Sequence, residues 1–269
     1  MQKKSVYRLT ESALMLAFAA VLSVIKLVDM PYGGSVTLFS MLPIVIIAYR
    51  YGTKWGLLTG ATYGLLQMLL GLDNLSYATS FGAAVAIILF DYLIAFTALG
   101  LGGLFRKWVP HQATALSLGA VFTGVLRYLC HVISGCTVWY GLSVPTGESI
   151  VYSLGYNLYM VPEILLLVVG AIYVSRLLSF QSTAITRATP IHAASPAATV
   201  LSVVGASGLL VAVTWDIVEI VPYLQTEDSA VWLAGLANAD WLTMGIVTGV
   251  AILLFALCTA VAAKLNKKA

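Results

Sequence analysis

Residues 127–140, RYLCHVISGCTVWY, place a cation, an imidazole, two thiols and three aromatic side chains inside an otherwise apolar stretch. Arg127, His131 and Gly135 are four apart, so on a helix they share one face, with Trp139 a turn further along. Ionisable groups inside a membrane-crossing helix are costly unless they face protein or water, which marks this face as a functional site. Imidazole and aromatic groups, joined by a carboxylate from another helix, suit an organic cation with hydrogen-bonding edges.

The rest of the chain has the composition of a scaffold for such a face. Of 269 residues, 60% are hydrophobic and 9% are charged, against about 25% charged in a soluble domain. This is a polytopic membrane protein in contact with a lipid bilayer. Cys130, Cys136 and Cys258 lack metal-ligand spacing, and an odd set inside spans does not suggest a disulfide framework. The start, MQKKSVYRLTES, has the charge of a signal peptide without a convincing cleavage site, and reads as a retained helix. The glycine pairs lack the GKS or GKT of a phosphate loop, and neither HExxH nor GxSxG occurs. His111, His131 and His192 lie too far apart for a metal site, and no basic aromatic patch suggests nucleic acid. No nucleophile and base pair is legible, so no enzyme activity, cofactor or metal is expected.

A span needs about 20 apolar residues. Eight candidates follow in order, at about 12–28, 37–49, 55–70, 81–104, 113–138, 149–178, 199–221 and 241–263. The second is short. The sixth exceeds one bilayer thickness and predicts tilt, a kink near Pro162 or a projecting end. DMPYGGSVTLFS, at 29–40, reads as a loop, and 181–197 has the composition of a cytoplasmic linker. With both termini in the cytoplasm, all of the 14 Lys and Arg except Lys26 and Arg127 fall on the inner side. No sequence repeat between halves is evident, which counts against an inverted-repeat transporter. Ala13 and Ala17 in the first span have the spacing that allows close helix approach.

This threading runs the fifth span outward, toward Trp139 and Tyr140. The fourth and sixth run inward, which brings Asp91 and Tyr92 at mid-depth, and Tyr152 and Asn157 near the outer surface, to the same cavity. Each residue also has a plainer role. Trp139 and Tyr140 suit interfacial anchors. His131 suits an interhelical donor, and Asp91 a partner for Arg127. Glu163 suits a structural pair, and Asp216 and Glu219 sit near outer water. Two further readings stay open: a proton-coupled secondary transporter of a small organic cation, relayed by Asp91, His131 or Glu163, and a scaffold whose polar face only joins helices.

RLTESALMLAFAA, then a glycine-containing loop, then SMLPIVIIAYRYGTKWGLLTGATYGLLQMLLG, resembles the N-terminal half of the thiamine-specific S-components of energy-coupling factor (ECF) transporters. LFDYLIAFTALGLGGLFRK, LRYLCHVISGCTVWYG and YSLGYN resemble that family's fourth, fifth and sixth helices, so the likeness covers about 7–178. It implies an all-α polytopic membrane bundle. A six-helix core at 1–180 is followed by the linker at 181–197 and a two-helix extension at 198–269. It further implies a plasma-membrane subunit that captures thiamine, or a close analogue, from outside and borrows a transmembrane coupling subunit and two cytosolic ATPases. Family ligand contacts carry over to Asp91, His131, Trp139, Tyr152 and Asn157, and more weakly to Tyr92 and Tyr63. Ala13 and Ala17 become the face that docks on the coupling subunit. The chain departs from the family at Asp91, where Glu is frequent, and at Tyr63, where some members have Trp. Gly34 and Leu38 stand where related members carry Trp and Glu. The loop around Tyr32, Gly33 and Gly34 is expected to close over the ligand, because glycine permits the needed backbone changes.

Overall fold

The computed structural model describes residues 2–30, 33–139, 147–181, 184–188, 195–224 and 235–268. The chain forms two compact units, Met1–Arg187 and Ala188–Ala269, each described by itself.

The first unit begins with α1 (Gln2–Val24), a hairpin of β1 (Lys26–Asp29) and β2 (Ser35–Thr37), then α2 (Leu42–Tyr51) and α3 (Thr53–Leu70). There follow α4 (Phe81–Lys107), α5 (Gln112–Trp139) and α6, which runs over 147–177. α1, α4, α5 and α6 each contain a stretch long and apolar enough to cross a membrane. α2 is different. Every residue from Leu42 to Arg50 is buried, so it is a core helix sealed on all sides, apolar almost all round as such burial requires. Gly52, at φ +86°, joins it to α3 in a single residue, a conformation that favours glycine.

α3 carries Gly56, Gly60 and Gly64 four apart, which makes a groove along one face. A methyl group on any of them would lie within 3 Å of a backbone carbonyl of α4, at Gly100, Phe96 and Tyr92 in turn. Small residues thus let the two backbones touch, as in lipid-embedded helix pairs. This contact sets the position of the α4 segment that carries Asp91.

Three local features differ from the sequence expectation. The loop expected at 29–40 includes half of an antiparallel hairpin, with Asp29 opposite Ser35 and Lys26 opposite Thr37. The β-branched Val28, Val36 and Thr37 favour extended backbone, and Gly33 and Gly34, at φ +93° and +89°, supply the turn. α4 is not a uniform α-helix: Ile87–Leu93 is π-helical and Ala98–Lys107 is a 3-10 helix. The break in α6 falls at Asn157–Tyr159, a 3-10 turn, rather than at Pro162 itself. Proline crowds the carbonyl four residues earlier, here that of Leu158, which places the irregularity inside this turn.

The end of the unit that holds the start of α1 is tied by ionic and aromatic contacts. Arg50 pairs with Glu11 at 2.5 Å, with both side chains buried. Tyr51 Oη donates to Glu11 at 2.7 Å, and Arg106 caps the carbonyls of Tyr49 and Arg50 at 2.8 and 2.6 Å. Arg8 lies over the Trp55 ring at 3.9 Å. Beyond α6, Leu178–Ser179 pairs with Thr186–Arg187, and the Phe180 side chain is buried. Gln112 grips this segment twice, accepting from Phe180 N and donating to Leu178 O, each at 2.8 Å.

The second unit contains α7 (Pro196–Leu224) and α8 (Trp241–Lys268), both with stretches long and apolar enough to cross a membrane. Gly205 packs against Cys258 and Phe255, and Thr248 Oγ1 donates to Asp216. That bond gives the intramembrane Asp216 an interhelical role. Asp240 caps α8 by accepting from Thr243 N at 3.0 Å and from Thr243 Oγ1 at 2.6 Å. These bonds hold its carboxyl below the usual carboxylate range.

Candidate ligand cavity

At the far end of the first unit, the ends of α1 and α3, the β1–β2 hairpin, and parts of α4, α5 and α6 border a partly open cavity of about 580 Å³. Small-molecule sites span roughly 300–1,000 Å³. The π-helical segment of α4 brings Asp91 and Tyr92 to its wall, and such wide turns recur at functional sites. α5 contributes Arg127, His131, Ser134 and Gly135, and α6 contributes Tyr156, Asn157 and Tyr159.

Asp91 does not pair with Arg127. Its Oδ1 meets His131 Nδ1 at 2.7 Å, and its Oδ2 accepts from Ser134 Oγ at 2.5 Å. Arg127 lies with its guanidinium 4.4 Å over the Phe96 ring and one nitrogen 3.1 Å from Met41 Sδ. Among the described residues it has no carboxylate within ion-pair distance. Tyr92 donates to Gly71 O and accepts from Asn74 Nδ2, each at 2.8 Å. Asn157 donates back to Ser153 O at 2.9 Å, inside its own helix. Gly135 is needed where α5 meets α6, since a methyl there would fall 2.2 Å from Ser153 Oγ.

The hairpin roofs this space. Tyr156 Oη donates to Gly33 O at 3.1 Å, and a methyl on Gly34 would lie 2.6 Å from the Tyr159 ring. The base of the hairpin is fastened by Glu163, fully buried, which accepts from Thr37 N at 3.0 Å and from Thr37 Oγ1 at 2.8 Å. Glu163 is therefore a structural partner of the roof. Lys26 and Asp29 pair at the rim at 2.9 Å.

Of the residues singled out from sequence, Asp91, Tyr92, His131, Asn157, Gly33 and Gly34 line one cavity. Tyr63 does not line it. It is fully buried behind the wall, edge-on to Phe96 at 5.1 Å, and donates to Ala19 O. Tyr152 stacks on Tyr156, at 6.0 Å between ring centres, and it is Tyr156 that reaches the cavity. Trp139 ends α5, but its side chain, like Tyr32 as a whole, lies outside the described residues. Ala13 and Ala17 are exposed on α1, beside Leu14 and Phe18 at 58% and 60% exposure. Sequence reasoning missed Ser134, Asn74, Tyr156 and Tyr159. Ser134 was findable, since it follows His131 by one turn.

The chain is similar to two proteins named thiamine transporter ThiT. That of Bacillus subtilis is 40% identical over 178 residues, 61% of this chain and 88% of the relative. That of Lacticaseibacillus paracasei is 29% identical over 173 residues, 58% of this chain and 80% of the relative. A solved structure of ThiT from Listeria monocytogenes, 26% identical, aligns with 65% of this chain and 94% of its own at a TM-score of 0.49. Residues 9–182, which contain every wall of the cavity, match the family model for thiamine transporter protein, and the chain belongs to that family.

Proposed function

We propose that this chain captures thiamine from the extracellular side and passes it on as the substrate-binding subunit of an ECF-type importer. The observation that carries this reading is the charge of the cavity and the rings that line it. Its wall carries Lys26 and Arg127 against Asp29, Asp73 and Asp91, one net negative charge with His131 neutral. Thiamine brings one positive charge, on its thiazolium, and an aminopyrimidine with polar edges. Tyr92, Tyr156 and Tyr159 provide rings for stacking or cation–π contact. Asp91, His131 and Asn157 provide polar contacts, and Trp139 is assigned a further stacking contact on the resemblance alone.

The positive-inside threading puts the cavity on the outer side and both termini in the cytoplasm. The hairpin around Tyr32, Gly33 and Gly34 then acts as the lid. A transmembrane coupling subunit, with two cytosolic ATPases, supplies the energy, and it docks on the face of α1 that presents Ala13 and Ala17. Titration of detergent-purified protein with thiamine tests the site. Asp91→Ala and Trp139→Ala should each weaken binding by more than tenfold, about 1.4 kcal/mol. Unchanged affinity in both would remove the reading.

A further inference from the structure

Asp91 does more at this wall than offer a charge. Each of its oxygens already accepts a hydrogen bond from α5, one from His131 at 2.7 Å and one from Ser134 at 2.5 Å. His131 and Ser134 are three apart, so they reach α4 from one helix face. A carboxylate held at both oxygens is fixed in rotation, and it holds the imidazole plane with it. An ionised carboxylate only accepts, so the ring nitrogen it meets carries the hydrogen. In a neutral imidazole the other nitrogen then bears a lone pair.

That second nitrogen, His131 Nε2, is buried and has no hydrogen-bond partner among the described residues, although His131 lines the cavity. A buried acceptor left without a donor is costly. Asp91, facing the ring from α4, favours its charged form, whereas burial away from water and Arg127, one turn earlier on α5, favour the neutral one; the Tyr159 ring of α6 lies 6.2 Å away. An imidazolium would add a second cation beside Arg127, in a cavity that must also receive one from the ligand.

We propose that Asp91 and Ser134 are positioning residues that lock His131 with its hydrogen on Nδ1, keeping Nε2 as an acceptor for an N–H donor on the ligand. The inference rests on the reading above that the cavity takes thiamine, whose only N–H donor is the exocyclic amine of its pyrimidine. It assigns to the Ser134–Asp91–His131 trio the discrimination between an aminopyrimidine and the analogue with oxygen in place of that amine. An oxo group set against the Nε2 lone pair would bring two acceptors together. Sites built to bond a particular polar group reject analogues that lack it far more strongly than apolar pockets do.

Two measurements test this. Nitrogen NMR of histidine-labelled, ligand-free protein reads the tautomer, with the His131 signal assigned by its loss in His131→Gln. The expected form has hydrogen on Nδ1. Titration with thiamine and with its oxo analogue reads selectivity, expected to be about 100-fold or more in favour of the amine. Ser134→Ala should narrow that ratio at least fivefold and blur the tautomer signal, and Ser134→Thr, which keeps the hydroxyl, should restore both. Equal affinity for the two compounds, or a ratio unmoved in both Ser134→Ala and Asp91→Ala, would overturn the proposal. Thiamine binding with hydrogen on Nε2 would overturn the trio alone. Hydrogen on Nδ1 with no binding of either compound would instead contradict the vitamin reading, and the selectivity role with it.

Discussion

The two ends of the six-helix unit spend their polar residues in opposite ways. At one end, Glu11 and Arg50 form a buried ion pair at 2.5 Å, Tyr51 donates to Glu11 at 2.7 Å, and Arg106 caps the carbonyls of Tyr49 and Arg50. At the other, Asp91, Arg127 and His131 border open space, and among the described residues His131 Nε2 has no hydrogen-bond partner. Closed polar networks rigidify a membrane bundle, whereas open ones signal something still to be bound. The first end holds α1, α2 and α4 in place. The second is where a ligand completes the structure.

That contrast can be broken by mutating each end and reading both stability and binding. Glu11→Ala leaves a buried guanidinium uncompensated, a loss of about 3–5 kcal/mol, so thermal unfolding should fall steeply while folded protein still binds thiamine. An unchanged melting curve would mean that the first end is not the anchor. Asp91→Ala should show the reverse pattern, with more than tenfold weaker binding, about 1.4 kcal/mol, and a nearly unchanged melting temperature of the ligand-free protein. Gly34→Ala puts a side chain at φ +89° and against the Tyr159 ring, so the roof must shift. The strain is about 1–3 kcal/mol, expected mainly as faster thiamine release in stopped-flow measurements. Ala13→Trp should leave binding unchanged and abolish uptake in vesicles that contain the coupling subunit and ATPases. Normal uptake would move the docking face elsewhere.

Much of the cavity end was legible because helical spacing is a strong signal. Arg127, His131 and Gly135 share a face by arithmetic alone, and all three line the cavity. The partner of Asp91 was not legible. Two candidate partners, Arg127 and His131, lie one turn apart, and only the register between α4 and α5 decides which of them a short carboxylate reaches. That register depends on the backbone contacts at Gly56, Gly60 and Gly64, a spacing visible in the sequence whose partner helix is not. Tyr63 reads as a ligand contact by resemblance, yet it faces α1 and Phe96, because it lies on the one buried stripe of α3, with Gly56, Gly60 and Gly64, that packs against α4. The hairpin escaped notice because seven strand residues, KLVD and SVT, are too few for a period-two pattern to stand out beside glycine and proline. Ser134 was findable from its place one turn after His131, although serine within an apolar helix most often bonds its own backbone.

Native mass spectrometry of protein purified without added vitamin tests the central claim most directly. The account predicts a second species heavier by one thiamine, lost in Asp91→Ala. A single unliganded mass that stays single after incubation with excess thiamine would contradict it.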